Sequence, residues 1–146
     1  MARVVELPQP RPVTVNMGMS MPSWFDINSL DPTLFKLNPP GLEESAAAVK
    51  SLVQAELEKG IAPERVILAG FSQGGAVVLE AALNGTPCGA VLVLSSFLGS
   101  RLPREMPELK VHFFHGEADQ VVPMWWGQRG RESLEESKSR MRWLRL

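Results

Sequence analysis

The sequence is poor in the residues that build disulfide-stapled or metal-held folds. It has one cysteine, Cys88, in 146 residues, which excludes an intrachain disulfide and a cysteine-rich metal site. Cys88 is expected to be a small, part-buried residue. Only two histidines occur, His112 and His115, and the formal net charge is -1. That charge gives no general electrostatic basis for binding nucleic acid or an anionic membrane. No apolar run approaches the ~18 residues of a membrane span. The start, Met1 to Pro10, has no apolar core of a secretory signal, so a cytoplasmic setting is the default expectation. Internal repeats and low-complexity tracts are absent. Hydrophobic residues at 45% and charged residues at 21% suit one soluble domain large enough for a real core.

What is there is organised around Val66 to Leu83, VILAGFSQGGAVVLEAAL. Val66, Ile67 and Leu68, closed by Ala69 and Gly70, read as a strand buried on both faces of a parallel sheet. Ala76, Val77, Leu79, Ala81, Ala82 and Leu83 read as a helix with little polar surface. Between them stands Gly70-Phe71-Ser72-Gln73-Gly74, a G-x-S-x-G at a strand-to-helix turn. A serine on so sharp a turn takes a strained backbone conformation that small neighbours tolerate. The turn lifts the Ser72 hydroxyl clear of the sheet. The Gln73 backbone N–H starts the helix and points at the same space, where a developing negative charge would meet a free donor and a helix N-terminus. The bland alternative is a glycine-rich turn with an incidental serine.

The other segments follow an α/β grammar. Ala2 to Leu7 reads as a short strand, and Pro8, Pro10 and Pro12 force an extended path after it. A methionine- and aromatic-rich loop, Met17 to Asp26, either covers the core or offers an adaptable apolar surface to a ligand. Asn28 to Pro40 is loop. Gly41 to Lys59 is an amphipathic helix with Leu42, Ala46, Val49, Leu52, Val53 and Leu57 on one face. Ala90 to Ser95 and Val111 to His115 are further buried strands. Asp119 follows the second of these at once, so it sits past a strand's C-terminal end as Ser72 does. Ligands bind at that edge in open parallel sheets, and a serine followed by a later aspartate fits the order of α/β-hydrolases. Residues 127–146 read as a basic, partly helical tail, helical from Glu132. Met141, Trp143, Leu144 and Leu146 make it a solvated terminus or, alternatively, a peripheral membrane contact.

With these residues placed, the chain resembles the acyl-protein thioesterase and lysophospholipase-like carboxylesterase family. The likeness runs from about Pro8 to about Glu136. It rests on Arg11-Pro12-Val13-Thr14, Met21-Pro22-Ser23-Trp24-Phe25-Asp26, Gly60-Ile61, and Arg65 to Leu68 leading into Gly70-Phe71-Ser72-Gln73-Gly74-Gly75. Leu94-Ser95-Ser96-Phe97-Leu98, His115-Gly116-Glu117-Ala118-Asp119 and Val121-Val122-Pro123 complete it. The resemblance implies an α/β-hydrolase-type three-layer fold with a mainly parallel sheet. It implies Ser72 as nucleophile, Asp119 as triad acid and the Gln73 N–H as an oxyanion donor. Met21, Trp24 and Phe97 would contact substrate. The implied reaction is hydrolysis of acyl thioesters or esters, depalmitoylation included, through an acyl-enzyme on Ser72. An acylated protein or lipid ester would be the partner, and no cofactor or metal is needed.

Two departures qualify this. The family carries more sheet before the point matching Met1, including a His-Gly-x-Gly-Asp loop that gives the second oxyanion donor. Its catalytic histidine lies later than the acid, whereas no histidine follows Asp119 here. In that family order a strand would lie between those matching Ala2–Leu7 and Val66–Gly70, so a gap is expected in the sheet beside Val66–Gly70. Ala2–Leu7 is expected to move into it or to be poorly ordered. His115 would be structural, and His112 would lie on the other face of the same strand. Residues 1–146 are therefore read as a single, incomplete α/β-hydrolase domain. Three readings stay open: a serine hydrolase, a non-catalytic acyl- or partner-binding relic, and a product incomplete at both ends.

Overall fold

The computed structural model describes residues 10–137 and, by backbone alone, 140–145. The expected strand at Ala2–Leu7 lies outside the described residues. The first ladder joins β1 (Pro10–Pro12) to β2 (Ser20–Pro22) antiparallel, with Arg11 opposite Met21. Prolines supply no N–H, so a short, exposed ladder is what this stretch supports. Met17, Met19 and Met21 lie exposed on this hairpin.

Helix α1 (Leu42–Leu57) buries Leu42, Ala46, Val49 and Val53, carries Glu43 and Glu44 in its first turn, and stops before Gly60 at φ +87. Acidic residues at a helix start and a left-handed glycine past its end are the expected punctuation. Then come β3 (Ile67–Phe71), α2 (Gln73–Leu83), β4 (Ala90–Leu94), β5 (Lys110–His115), α3 (Met124–Glu136) and β6 (Arg140–Arg145). The four strands form one sheet in the order β3-β4-β5-β6, all parallel.

Opposite residues in a parallel ladder point to the same face. Leu68, Val91 and Val111 are aligned, as are Gly70, Val93 and Phe113. That face takes the helices: α2 closes on Gly70, and α3 closes on His115. Its residues Val91, Val93, Val111 and Phe113 are almost fully buried. The opposite face carries Ile67, Ala69 and Phe71. Ile67 is 60% exposed and Phe71 70% exposed, so β3 is not buried on both faces as its composition predicted. In β4 and β5 the same face is half-buried at Leu92, Leu94, His112 and Phe114. The described residues give an incomplete α/β-hydrolase sheet.

β3 also has no partner strand on its outer edge among the described residues. A groove of about 780 Å³ runs along that edge, walled by Val49, Leu52 and Val53 of α1 and by Ile67 to Phe71. The gap was expected at this place beside Val66–Gly70, and Ala2–Leu7, expected to move into it, lies outside the described residues.

The tail departs from its sequence reading. α3 begins at Met124, eight residues before Glu132, and the basic run Arg140–Arg145 is a strand. Gly127 and Gly130 hide the helix from propensity rules. A Cβ on Gly127 would stand 2.7 Å from His115 Nδ1 and 2.8 Å from the Ser96 carbonyl. The glycine is there for close packing, and tertiary contact overrides its weak propensity.

Candidate functional site

Ser72 follows β3 with φ +52 and ψ -124. A non-glycine residue there stores strain of order 1–3 kcal/mol. Contacts on both sides hold it. The Ser72 N–H donates to the Leu94 carbonyl at 3.0 Å, extending the β3–β4 ladder by one bond. Its carbonyl accepts from Gly75 N–H at 3.0 Å and from the Ser96 hydroxyl at 2.6 Å. A Cβ on Gly70 would strike the Gly74 carbonyl, and one on Gly75 would lie 2.6 Å from Ser96 Cβ. The two glycines are required by close approach. With Gln73 opening α2, its N–H lies at the positive end of the helix.

Asp119 belongs to the turn after β5. The registers put Phe71, Leu94 and Phe114 side by side, so Ser72 and Asp119 leave the same C-terminal sheet edge, two strands apart. Oδ1 of Asp119 accepts from Val121 and Val122 N–H, both at 2.9 Å. Burial alone would push its carboxyl pKa up. The Val122 and Val121 N–H groups, the Ser95 hydroxyl and His115 outweigh that and hold it below the ordinary value. The group is an ionised hydrogen-bond acceptor, as a triad acid must be.

Neither histidine is offered to Ser72. His115 is 1% exposed, and its Nε2 stands 2.7 Å from the Val122 carbonyl and 3.8 Å from Asp119 Oδ2. Its ring ties β5 to the Asp119 turn, the structural role expected of it. His112 alternates to the opposite sheet face, beside Leu92. Cys88 is part-buried, and burial pushes its thiol pKa up, so it is no competing nucleophile.

The methionine–tryptophan segment is pinned to this site by a contact the sequence did not reveal. Gln73 Nε2 donates to the Phe25 carbonyl at 3.0 Å, and Gln73 Oε1 accepts from Trp24 N–H at 3.2 Å. The Ser45 hydroxyl of α1 donates to the Trp24 carbonyl at 2.5 Å. Trp24 lines the groove beside Phe71 and Gly74. Met21 is 41% exposed on β2, whereas Phe97 is 3% exposed. Phe97 stacks on Trp126 with ring centroids 3.9 Å apart and meets Phe25 and Phe35 edge-on. It is a packing residue of the wall, not a surface that a substrate reaches in this conformation. Among the described residues no helix is long and apolar enough to cross a membrane.

Comparison with known proteins agrees with the fold. The Phospholipase/Carboxylesterase family matches residues 4–143, which carries the likeness past Glu136 and through most of β6. Acyl-protein thioesterase 1 of Gibberella zeae is 40% identical over 140 residues, covering 85% of this chain and 57% of that protein. Acyl-protein thioesterase 1 of Mycosarcoma maydis is 41% identical, covering 86% and 58%. The chain thus spans under three fifths of the length of these relatives. Among solved structures, SOBER1 of Arabidopsis thaliana superposes with a TM-score of 0.85 at 28% identity, over 95% of this chain and 70% of that one. Acyl-protein thioesterase 2 of Zea mays gives 0.70 at 25% identity, over 96% and 69%. With the family match over residues 4–143 and these relatives over most of its length, the chain belongs to the phospholipase/carboxylesterase family of α/β-hydrolases.

Proposed function

We propose that the chain carries the nucleophile and the acid of a serine hydrolase of the acyl-protein thioesterase and carboxylesterase type. Ser72 Oγ attacks the acyl carbonyl carbon and the bond to the leaving thiol or alcohol breaks. Water then hydrolyses the acyl group from Ser72. Gln73 N–H would stabilise the oxyanion. Asp119 would orient the imidazole that shuttles the proton. Trp24 and Met21 would meet the acyl group, with Phe97 supporting the wall behind them. The substrate class is an acylated protein or lipid ester, met in a cytoplasmic setting, with peripheral contact to a membrane surface. The observation that carries the reading is the strained Ser72 turn at the same sheet edge as an ionised, backbone-held Asp119.

The proton shuttle itself is not supplied by His112 or His115. A serine hydroxyl without a base is a weak nucleophile at neutral pH, so residues 1–146 on their own should turn over acyl esters poorly. A second reading follows from the same fact: the chain binds acyl groups or a partner and does no chemistry. Joining the chain to the flanking segments of a family relative, at both ends, separates the two. Ser72-dependent hydrolysis of a short acyl thioester by the fusion supports the hydrolase reading. A folded fusion that binds a non-hydrolysable acyl analogue and hydrolyses nothing supports the binding reading.

A further inference from the structure

Trp24 lies in no strand or helix, yet both polar groups of its backbone are held by side chains from two helices. Its N–H donates to Gln73 Oε1 of α2 at 3.2 Å, and its carbonyl accepts from the Ser45 hydroxyl of α1 at 2.5 Å. Gln73 Nε2 donates to the Phe25 carbonyl and to the Ser23 hydroxyl, each at 3.0 Å. Ser23 is buried, and its hydroxyl donates in turn to the Phe25 carbonyl at 2.7 Å. Both N–H bonds and the oxygen of the Gln73 amide are therefore engaged by residues 23–25. The indole lies against the serine turn, since a Cβ on Gly74 would stand 3.9 Å from Trp24 Nε1. Opening α2 requires only the Gln73 backbone. Its long side chain serves the reach to another segment.

We propose that Gln73 and Ser45 are positioning residues that fix Trp24 against the Ser72 turn. Gln73 acts twice: its backbone N–H is the oxyanion donor, and its side chain holds the peptide that carries the indole. The acyl-contacting ring and the oxyanion donor then move as one unit, and Ser45 ties that unit to α1. This rests on the roles of Ser72, Gln73 and Trp24 proposed above. Loops are more mobile than the elements they connect, and a misplacement of about 1 Å can cost a reaction about a hundredfold in rate. Helix side chains on both sides of one loop peptide remove that freedom.

The test needs no catalytic turnover and uses the full chain. Fluorotryptophan replaces tryptophan, and the Trp24 fluorine resonance is assigned by its loss in Trp24→Phe. Gln73→Glu is the discriminating variant. As a neutral acid its side chain has a donor and an acceptor, as the amide has; as a carboxylate it only accepts. Its Trp24 resonance should therefore lie away from the parent position at neutral pH and return toward it as pH falls through the glutamate range, about 4.3 or above beside a carbonyl acceptor. Asp26, bonded to Thr14, and Glu44, set against Arg11, adjoin the clamp in sequence. The parent carries both through the same range, so its own Trp24 resonance is the control. Gln73→Ala should displace the resonance at every pH and speed exchange of the Trp24 amide about fivefold, the worth of one net hydrogen bond. It serves in place of Gln73→Glu if that variant does not fold. Ser45→Ala should displace the resonance as well. A Gln73→Glu resonance that ignores pH, or a Trp24 resonance unchanged in Gln73→Ala or Ser45→Ala, would overturn the proposal, whatever the urea midpoints do. That result would leave Ser72 and Asp119 as nucleophile and acid, which only activity of the completed enzyme tests.

Discussion

Gln73 Nε2 donates to the Phe25 carbonyl at 3.0 Å, so the residue after Ser72 also holds the segment that frames the groove. Its backbone and its side chain do different work. Gln73→Ala should leave the helix start intact and destabilise the chain by about 1–2 kcal/mol, because the Phe25 carbonyl and Trp24 N–H lose a partner. Gln73→Glu should cost more, since a carboxylate cannot donate to a carbonyl. Urea midpoints, with amide exchange at Trp24, read both outcomes.

Close approach at the turn makes a sharp contrast among glycines. Gly70→Ala drives a Cβ into the Gly74 carbonyl, backbone against backbone, and should cost about 3 kcal/mol or more. Gly116→Ala adds a Cβ with nothing within 4 Å and no positive φ, so its effect should stay within about 0.5 kcal/mol. Paired denaturation curves check the difference.

Most of what the sequence made legible was local. Ser72 was found because a β-branched run, two glycines and an apolar helix stand in order around it. Asp119 was found because VHFFH reads as a strand that ends just before it. The misses are contacts between distant segments. Nothing in Gln73 announces that its amide reaches Phe25, and nothing in Ser96 announces that its hydroxyl reaches the Ser72 carbonyl. α3 was read as starting late because Gly127 looks like a helix breaker until His115 and Ser96 are seen against it. β6 did carry a signal: Met141 and Trp143 alternate with Arg140 and Arg142, the period of a strand. Its high charge drew the reading toward a solvated tail. The exposed face of β3 was unreadable, because an apolar strand looks the same whether or not a layer covers it.

Acid stability should depend on Asp119. Its folded carboxyl pKa lies below the ordinary value because backbone N–H groups, Ser95 and His115 outweigh burial. The contribution is therefore fully present above the unfolded pKa and lost as pH falls through the lowered folded value. Asp119→Asn keeps an oxygen for Val121 and Val122 but removes the titration. Its urea midpoint should fall less steeply between about pH 5 and pH 3 than that of the parent chain. Equal slopes would contradict the assignment.

The open edge of β3 should make the chain self-associate. Ile67 and Phe71 are exposed, and among the described residues no strand pairs with this edge and no charge lies between them, a setting in which strands of other chains add. Ile67→Lys should shift sedimentation toward monomer at an unchanged urea midpoint. Persistence of the same oligomer distribution would exclude this edge as the cause.

The account stands or falls on the division of labour at the sheet edge: Ser72 and Asp119 are in place, and neither His112 nor His115 serves as base. Labelling of the 146-residue chain with a fluorophosphonate probe, beside Ser72→Ala and with thioester turnover measured in parallel, tests it most directly. The account predicts no labelling above the Ser72→Ala control and no turnover. Strong, Ser72-dependent labelling with turnover, abolished by substituting His112 or His115, would contradict it.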